Sequence, residues 1–343
     1  MKKNGHRKAE TILLTHAGKI GRWRGAARKF SGYALSLLAL LTLASCGGSA
    51  ILAEGGIGGT GIISVGTITA LGSIFVNDIE FDTSTASIDL NGASADQSTL
   101  KVGMVVSVEG TVNADGTTGV ATSVVYDDNL QGPVSAVDPA AGSLIVLDQQ
   151  IRTDAATVFE NAASLAGLGV GDFIEVSGLT NADGSIQASR IIRKAAGQHV
   201  EITGQVSNAT ATTFMINNLT VDFSGGGQGG MPGMTQMNAP QNGETVEVRG
   251  NLDNNGVLIA SQLQSKGNYS QLNRRMQLTG YIQTSSANSF TVTAPMGALT
   301  VVIDAQTVFL SGTAADLQPG ALVEVTGSMS QGTLTAREVY IVH

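Results

Sequence analysis

At 343 residues, with 42% apolar and 13% charged positions, the chain has the composition of packed globular material and not of a disordered polymer. Its 44 glycines and 4% aromatic content favour short strands and tight turns over large helices, and leave Val, Ile and Leu to build the core. The formal charge of −8 is unevenly placed: residues 1–45 hold nine of the 19 Lys/Arg and one of the 27 Asp/Glu, so residues 46–343 carry −16, a body that repels phosphate backbones and argues against nucleic acid as a partner.

Nine Lys/Arg between Lys2 and Lys29 precede an uncharged stretch from Ser31 to Ser45, the n-region and h-region of an export signal. The stretch is shorter than the roughly 20 apolar residues of a spanning helix and ends in small residues. It closes on Leu43-Ala44-Ser45-Cys46, which resembles the bacterial lipobox. That resemblance implies that residues 1–45 are a signal peptide removed before Cys46, and that lipid is attached to the Cys46 sulfur. Each buried CH₂ contributes ~0.8 kcal/mol, so two or three acyl chains would hold an acidic body at a membrane. Cys46 is the single cysteine, so packing must stabilise the chain without a disulfide. By resemblance to Gram-negative lipoproteins, Gly47 after the cysteine implies an outer-membrane location, facing the periplasm or the cell surface.

Residues 46–63 read as a Gly-rich tether. Within it, Gly56-Ile-Gly-Gly-Thr-Gly61 matches the dinucleotide glycine pattern, but no strand leads in and no helix follows, so the linker reading is preferred.

Beyond the tether one pattern recurs. Its centre is Gly-x-x-(Val/Ile)-x-Val-x-Gly, at Gly103–Gly110, Gly171–Gly178, Gly243–Gly250 and Gly320–Gly327. Each copy follows, by 37 to 40 residues, an opening of the type Gly66-Thr-Ile-Thr, Gly132-Pro-Val-Ser, Gly204-Gln-Val-Ser or Gly280-Tyr-Ile-Gln. Each precedes, by 9 to 11 residues, a close of the type Ala121-Thr-Ser-Val, Ala188-Ser-Arg-Ile, Ala260-Ser-Gln-Leu or Ala336-Arg-Glu-Val. Two more apolar runs lie between opening and centre, as in Phe290-Thr-Val-Thr and Leu299-Thr-Val-Val-Ile-Asp304, giving about five strands per unit.

The spacing of two between Val106 and Val108, Ile174 and Val176, Val246 and Val248, and Val323 and Val325 sends each pair to one face. Ser107, Glu175, Glu247 and Glu324 then fall on the opposite face, expected to be wet. Between the third and fourth strands there is room for one short helical turn. That order predicts an all-β chain of four tandem small five-stranded OB-like barrels. Their expected bounds are 64–128, 129–197, 198–268 and 274–343, with Gly/Asn-rich joints near 127–131, 195–200 and 266–274 limiting rigidity. The opening, centre and close resemble bacterial lipoproteins built from tandem copies of domain of unknown function 5666, an OB-like β-module, over roughly residues 64–343. The resemblance implies architecture and location but no reaction.

Asn113-Ala-Asp-Gly116, Asn181-Ala-Asp-Gly184 and Asp253-Asn-Asn-Gly256 resemble the start of a calcium loop, yet the twelfth positions are Val124, Ile192 and Gln264, which cannot supply the bidentate carboxylate. They are expected to be hairpin turns. The third unit carries a Gly/Met-rich insertion, residues 225–240, in which Met231, Met234 and Met237 recur every three residues, a candidate thioether set for Cu(I). Beyond the signal region the histidines are His199 and His343, and no Gly-x-Ser-x-Gly elbow occurs, so a nucleophilic triad is not expected. Asp127 and Asp128 read as solvated linker charge at a unit boundary.

The sequence thus predicts a non-enzymatic envelope lipoprotein without a cofactor, presenting barrels as a scaffold or binding array. Its expected partners are the membrane, through Cys46, and an envelope protein or glycan reached by loops and wet strand faces. A glycan hydrolase using paired carboxylates and a Cu(I)-binding accessory protein are the alternatives.

Overall fold

The computed structural model describes residues 60–195, 197, 199–226 and 239–342. The expected signal segment, Cys46, most of the tether, and Met231, Met234 and Met237 lie outside the described residues.

The first repeat comprises β1 (Thr60–Ala70), β2 (Ile74–Val76), β3 (Ile79–Asp82), β4 (Ser87–Leu90), β5 (Ala93–Ala95), β6 (Val105–Val112) and β7 (Thr118–Tyr126). The second has β8 (Leu130–Asp138), β9 (Ser143–Val146), β10 (Gln149–Arg152), β11 (Val158–Glu160), β12 (Phe173–Thr180) and β13 (Ile186–Lys194). The third has β14 (Val200–Ser207), β15 (Thr213–Ile216), β16 (Leu219–Asp222), β17 (Thr245–Leu252) and β18 (Leu258–Ser265). The fourth has β19 (Arg275–Ser285), β20 (Ser289–Ala294), β21 (Gly297–Val302), β22 (Val308–Ser311), β23 (Leu322–Ser330) and β24 (Thr333–Val342). Short 3₁₀ turns at Gln97–Thr99, Leu165–Gly167, Ser224–Gly226 and Ala314–Asp316 occupy the connection where one helical turn is expected.

Every repeat closes on itself. In the first, β1 pairs antiparallel with β2, β2 with β3, β3 runs parallel to β7, β7 pairs antiparallel with β6, and β6 returns antiparallel to β1. The same ring recurs through β8–β9–β10–β13–β12, through β14–β15–β16–β18–β17 and through β19–β20–β21–β24–β23. These are small five-stranded barrels, four in tandem as expected, and closure removes the open edges that small sheets otherwise expose.

The repeated glycines are dictated by this geometry. At the end of each centre motif the central strand bulges against the closing strand, and a Cβ on Gly110, Gly178, Gly250 or Gly327 would stand 2.3, 2.2, 2.1 or 2.2 Å from a backbone carbonyl oxygen. At the start of the motif, Gly103, Gly171, Gly243 and Gly320 have φ of 90, 91, 89 and 88°, a region unfavourable to other residues.

The barrels do not hang as separate beads. β1 pairs in parallel with β19, joining the first barrel to the fourth, and β8 pairs antiparallel with β14, joining the second to the third. The consequence for β1 is that both faces are buried: Ile62 and Ile68 enter the core of the first barrel, while Ile63 and Val65 enter that of the fourth. Residues 60–63, expected at the end of the tether, therefore belong to a strand, because an edge shared by two barrels leaves no face for water. One continuous apolar core, from Leu130 to Ala260, fills the second and third barrels together. Barrels this small are marginal alone, and sharing core surface removes more apolar area from water.

Candidate functional site

Alternation gives each central strand an inner face that fills its barrel and an outer face that carries the motif's polar residue. On β12 and β17 that residue is Glu175 or Glu247, and each is 6% exposed. The expected wet face is thus corrected for these two residues, which neighbouring barrels cover, whereas Ser107 and Glu324 are half-buried. Glu175 Oε1 accepts a hydrogen bond from the Tyr126 hydroxyl of the first barrel at 2.9 Å, and its Oε2 lies 2.7 Å from Lys194 Nζ. Glu247 lies 3.1 Å from Arg249 and 3.0 Å from Lys266, and Lys266 also reaches Asp127 at 2.8 Å. Arg249 Nε approaches Glu201 at 2.9 Å, and its Nη2 donates to the Asn91 carbonyl of the first barrel at 3.1 Å.

Asp128 sits at the centre of this network. Expected as solvated linker charge, it is 3% exposed, because the joint between the first two barrels is enclosed by the third. Asn91 holds it reciprocally: Asn91 Nδ2 donates to Asp128 Oδ2 at 2.8 Å, and the Asp128 amide donates to Asn91 Oδ1 at 3.0 Å. Gln131 Nε2 donates to the same Oδ2 at 2.6 Å, whereas Oδ1 is buried with no hydrogen-bond partner in the protein. The next residue, Asn129, stitches the joint further, its Oδ1 accepting from the Gly178 amide at 2.7 Å and its carbonyl from the Thr203 amide at 2.9 Å.

Crowding of carboxylates in a desolvated place moves their proton affinities. Burial, then the charges of Glu175 and Glu201, push Asp128 well above the usual carboxylate range. Burial raises Glu201 to about 7, with the Arg249 hydrogen bond opposing and Glu247 assisting. Burial also acts on Glu247, but the Lys266 hydrogen bond and charge prevail and hold it below its ordinary value. The network thus holds one carboxyl low, that of Glu247, and pushes another, that of Asp128, high.

This network borders a cavity of about 500 Å³ at the meeting point of the four barrels. Val105 and Ser107 of the first barrel, Gln149 of the second, Thr203 of the third and Thr279 of the fourth all line it. Among the described lining residues the charged ones are Asp127, Asp128 and Asp183, and none is aromatic. Asp127 is paired with Lys266, and Asp183 with Arg152 at 2.5 Å. Thr203 Oγ1, like Asp128 Oδ1, is buried without a partner in the protein. Further contacts keep the walls together: Asn217 Nδ2 donates to Gln149 Oε1 at 2.7 Å, Thr279 Oγ1 donates to Asn77 Oδ1 at 2.8 Å, and Gln283 Nε2 donates to the Thr180 carbonyl at 2.8 Å.

The Asn/Asp-Gly motifs form the hairpin turns expected of them. Asp115 Oδ1 accepts from the Thr117 and Thr118 amides, Asp183 Oδ1 from Ser185, and Asp253 Oδ1 from Asn255 and Val257. Gly116, Gly184 and Gly256 follow with φ of 74, 81 and 82°. Among the described residues, no three or more His, Cys, Asp or Glu side chains are placed together to hold a metal ion.

Sequence reasoning missed the network, although it left a signal. Glu175 and Lys194 are separated by 19 residues, and so are Glu247 and Lys266. The same position, 19 residues after Ser107, holds Tyr126 in the first repeat, where one repeat departs from the charge pair and turns its phenol toward the next barrel.

Closed five-stranded barrels, repeated in tandem and joined around a shared cavity, define a multi-barrel β-protein. The chain belongs to the family described as Domain of unknown function (DUF5666), whose model matches four times, at residues 61–125, 131–192, 203–264 and 279–340. A search of curated proteins finds no match.

Proposed function

We propose that this protein is a non-enzymatic lipoprotein of the cell envelope, tethered through Cys46, whose four barrels act as one preassembled binding module. The observation that carries the reading is the way the barrels interlock around a cavity whose acidic groups serve the fold. Asp127 and Asp183 are held by Lys266 and Arg152, and one oxygen of Asp128 is held by Asn91 and Gln131. Glycoside hydrolysis needs two carboxyl groups acting as acid and as nucleophile or base. Paired in this way, Asp127 and Asp183 are poorly suited to either role. The basic segment, the apolar stretch and Leu43-Ala44-Ser45-Cys46 support the anchor, and the acidic body requires one if it is to remain at a bilayer.

Metabolic labelling with an alkyne palmitate tests the anchor: the native chain takes up label and sediments with membranes, and Cys46→Ser loses both properties. An intact mass showing an unmodified amino terminus at another residue would overturn it. Turnover of an envelope glycan by the purified protein, stopped by a single carboxylate substitution, would overturn the non-enzymatic part.

A further inference from the structure

We propose that β22 of the fourth barrel is the contact edge of a homodimer, in which two copies of this chain pair their β22 strands antiparallel about a two-fold axis. The inference goes beyond the binding-module reading and does not depend on the anchor at Cys46.

The strand is additional to its barrel. Each five-stranded ring is complete without it, and in the first, second and fourth repeats a short strand from the connection before the centre motif lies parallel on the closing strand: β4 on β7, β11 on β13 and β22 on β24. One side of such a strand is thereby satisfied, while the other presents backbone N–H and C=O groups that a further strand can bond. The first barrel shows what fits there. β5 pairs antiparallel with β4, with Ile88 opposite Ala95, Asp89 opposite Ser94 and Leu90 opposite Ala93, and so covers that edge. The second barrel guards its edge with charge instead, since β11 ends on Glu160, whose carboxylate pairs with Arg190.

β22 has neither device. Among the described residues it pairs with β24 alone, and its sequence, Val308-Phe309-Leu310-Ser311, carries no charge. Phe309 packs against the core of the barrel, whereas Val308 and Leu310 stand 53% and 60% exposed. Tyr340 and Val342 of the adjoining β24 are exposed as well. Four of the ten large apolar side chains exposed among the described residues therefore fall on two paired strands at an open edge, a concentration that marks an interaction surface and not the usual single scatter.

The way this chain joins its own barrels selects the occupant. Strand pairing links the first barrel to the fourth, through β1 and β19, and the second to the third, through β8 and β14. A second copy brings an identical uncharged edge, and a two-fold contact requires only that the edge complement itself. Antiparallel pairing of β22 with its copy gives the free backbone groups of both strands partners and repeats the geometry of β4 with β5. It also sets the exposed apolar side chains of both copies against one another across the new strand pair. Size sets the strength. With four residues in the strand and a bulge between Phe309 and Ser311, the contact falls below the roughly 1,200 Å² of total buried surface at which stable complexes begin, so monomer and dimer exchange in the micromolar range.

The test is sedimentation equilibrium of the full chain, purified as cells make it in a detergent of matched density, from low to several hundred micromolar. The expected result is a reversible equilibrium between monomer and dimer, with hydrogen exchange at the β22 amides slowing as the dimer forms. Leu310→Lys, at an exposed position, is expected to weaken association at least tenfold, and Ile145→Lys, exposed on the second barrel, to change it by less than twofold. A monomer at every concentration, association unweakened in Leu310→Lys, or a dimer that leaves β22 exchange unchanged would overturn the proposal. Should Leu310→Lys misfold, Val308→Lys and the exchange measurement on the native chain decide. Failure here is distinguishable from failure of the anchor, because a chain without lipid on Cys46 still carries the β22 edge and a lipidated chain can remain monomeric.

Discussion

The Tyr126 hydroxyl, at the end of β7, donates to Glu175 Oε1 on the outer face of β12 at 2.9 Å, so that the last residue of the first barrel is bonded to the middle of the second. Tyr126 is 1% exposed and Glu175 6%, and neither group has water as an alternative partner of consequence. Tyr126→Phe removes the donor and leaves one carboxylate oxygen unpaired in a buried place. The expected loss is about 1–3 kcal/mol in urea unfolding. A variant as stable as the native chain would show that this bond does not secure the junction.

The bulge glycines give a sharper contrast. In Gly250→Ala the new methyl group meets the Ile259 carbonyl oxygen at 2.1 Å, and backbone on both strands must move. A loss of about 1–3 kcal/mol or more is expected. Gly61→Ala, in β1, meets nothing within 4 Å and is expected to change stability by less than about 0.5 kcal/mol. Thermal melts of the two variants side by side would check the pair.

Glu201 makes stability pH-dependent in a stated direction. Its carboxyl is raised from 4.5 to about 7 in the folded chain, so the native state holds the extra proton between those values. The resulting stabilisation is complete below 4.5 and is lost as pH rises through about 7. Asp128, raised by the same burial, acts in the same direction. Stability is therefore expected to fall between pH 5 and pH 8, and Glu201→Gln to flatten that slope. An equally steep decline of melting temperature in Glu201→Gln would assign the effect elsewhere.

Lys266 joins two acids, at 2.8 Å from Asp127 and 3.0 Å from Glu247, with its side chain 12% exposed. Replacing it by Met leaves Asp127 without its cation and Glu247 with Arg249 alone, a change expected to destabilise by about 3–5 kcal/mol at pH 8. With Lys266 gone, only Arg249 and the Glu201 hydrogen bond still oppose burial at Glu247, so its proton affinity rises and part of the loss should be recovered at pH 5. Denaturation midpoints at the two pH values measure this difference. A loss independent of pH would contradict it.

The sequence by itself determined the barrels. Strand order and the short turn before the centre, repeated four times, and the Asn/Asp-Gly hairpins, repeated three times, depend on local rules, namely period-two alternation and the backbone freedom of glycine. Tertiary structure decided what lies outside each barrel. Alternation tells that Glu175 and Glu247 face away from their own core, but not whether water or another barrel covers them, and Asp128 looks like linker charge until the third barrel closes over it. Such burial depends on pairing between β1 and β19 and between β8 and β14, contacts far apart along the chain for which a strand's own pattern carries no address. The cavity has the same origin, since its wall is assembled from residues of all four repeats.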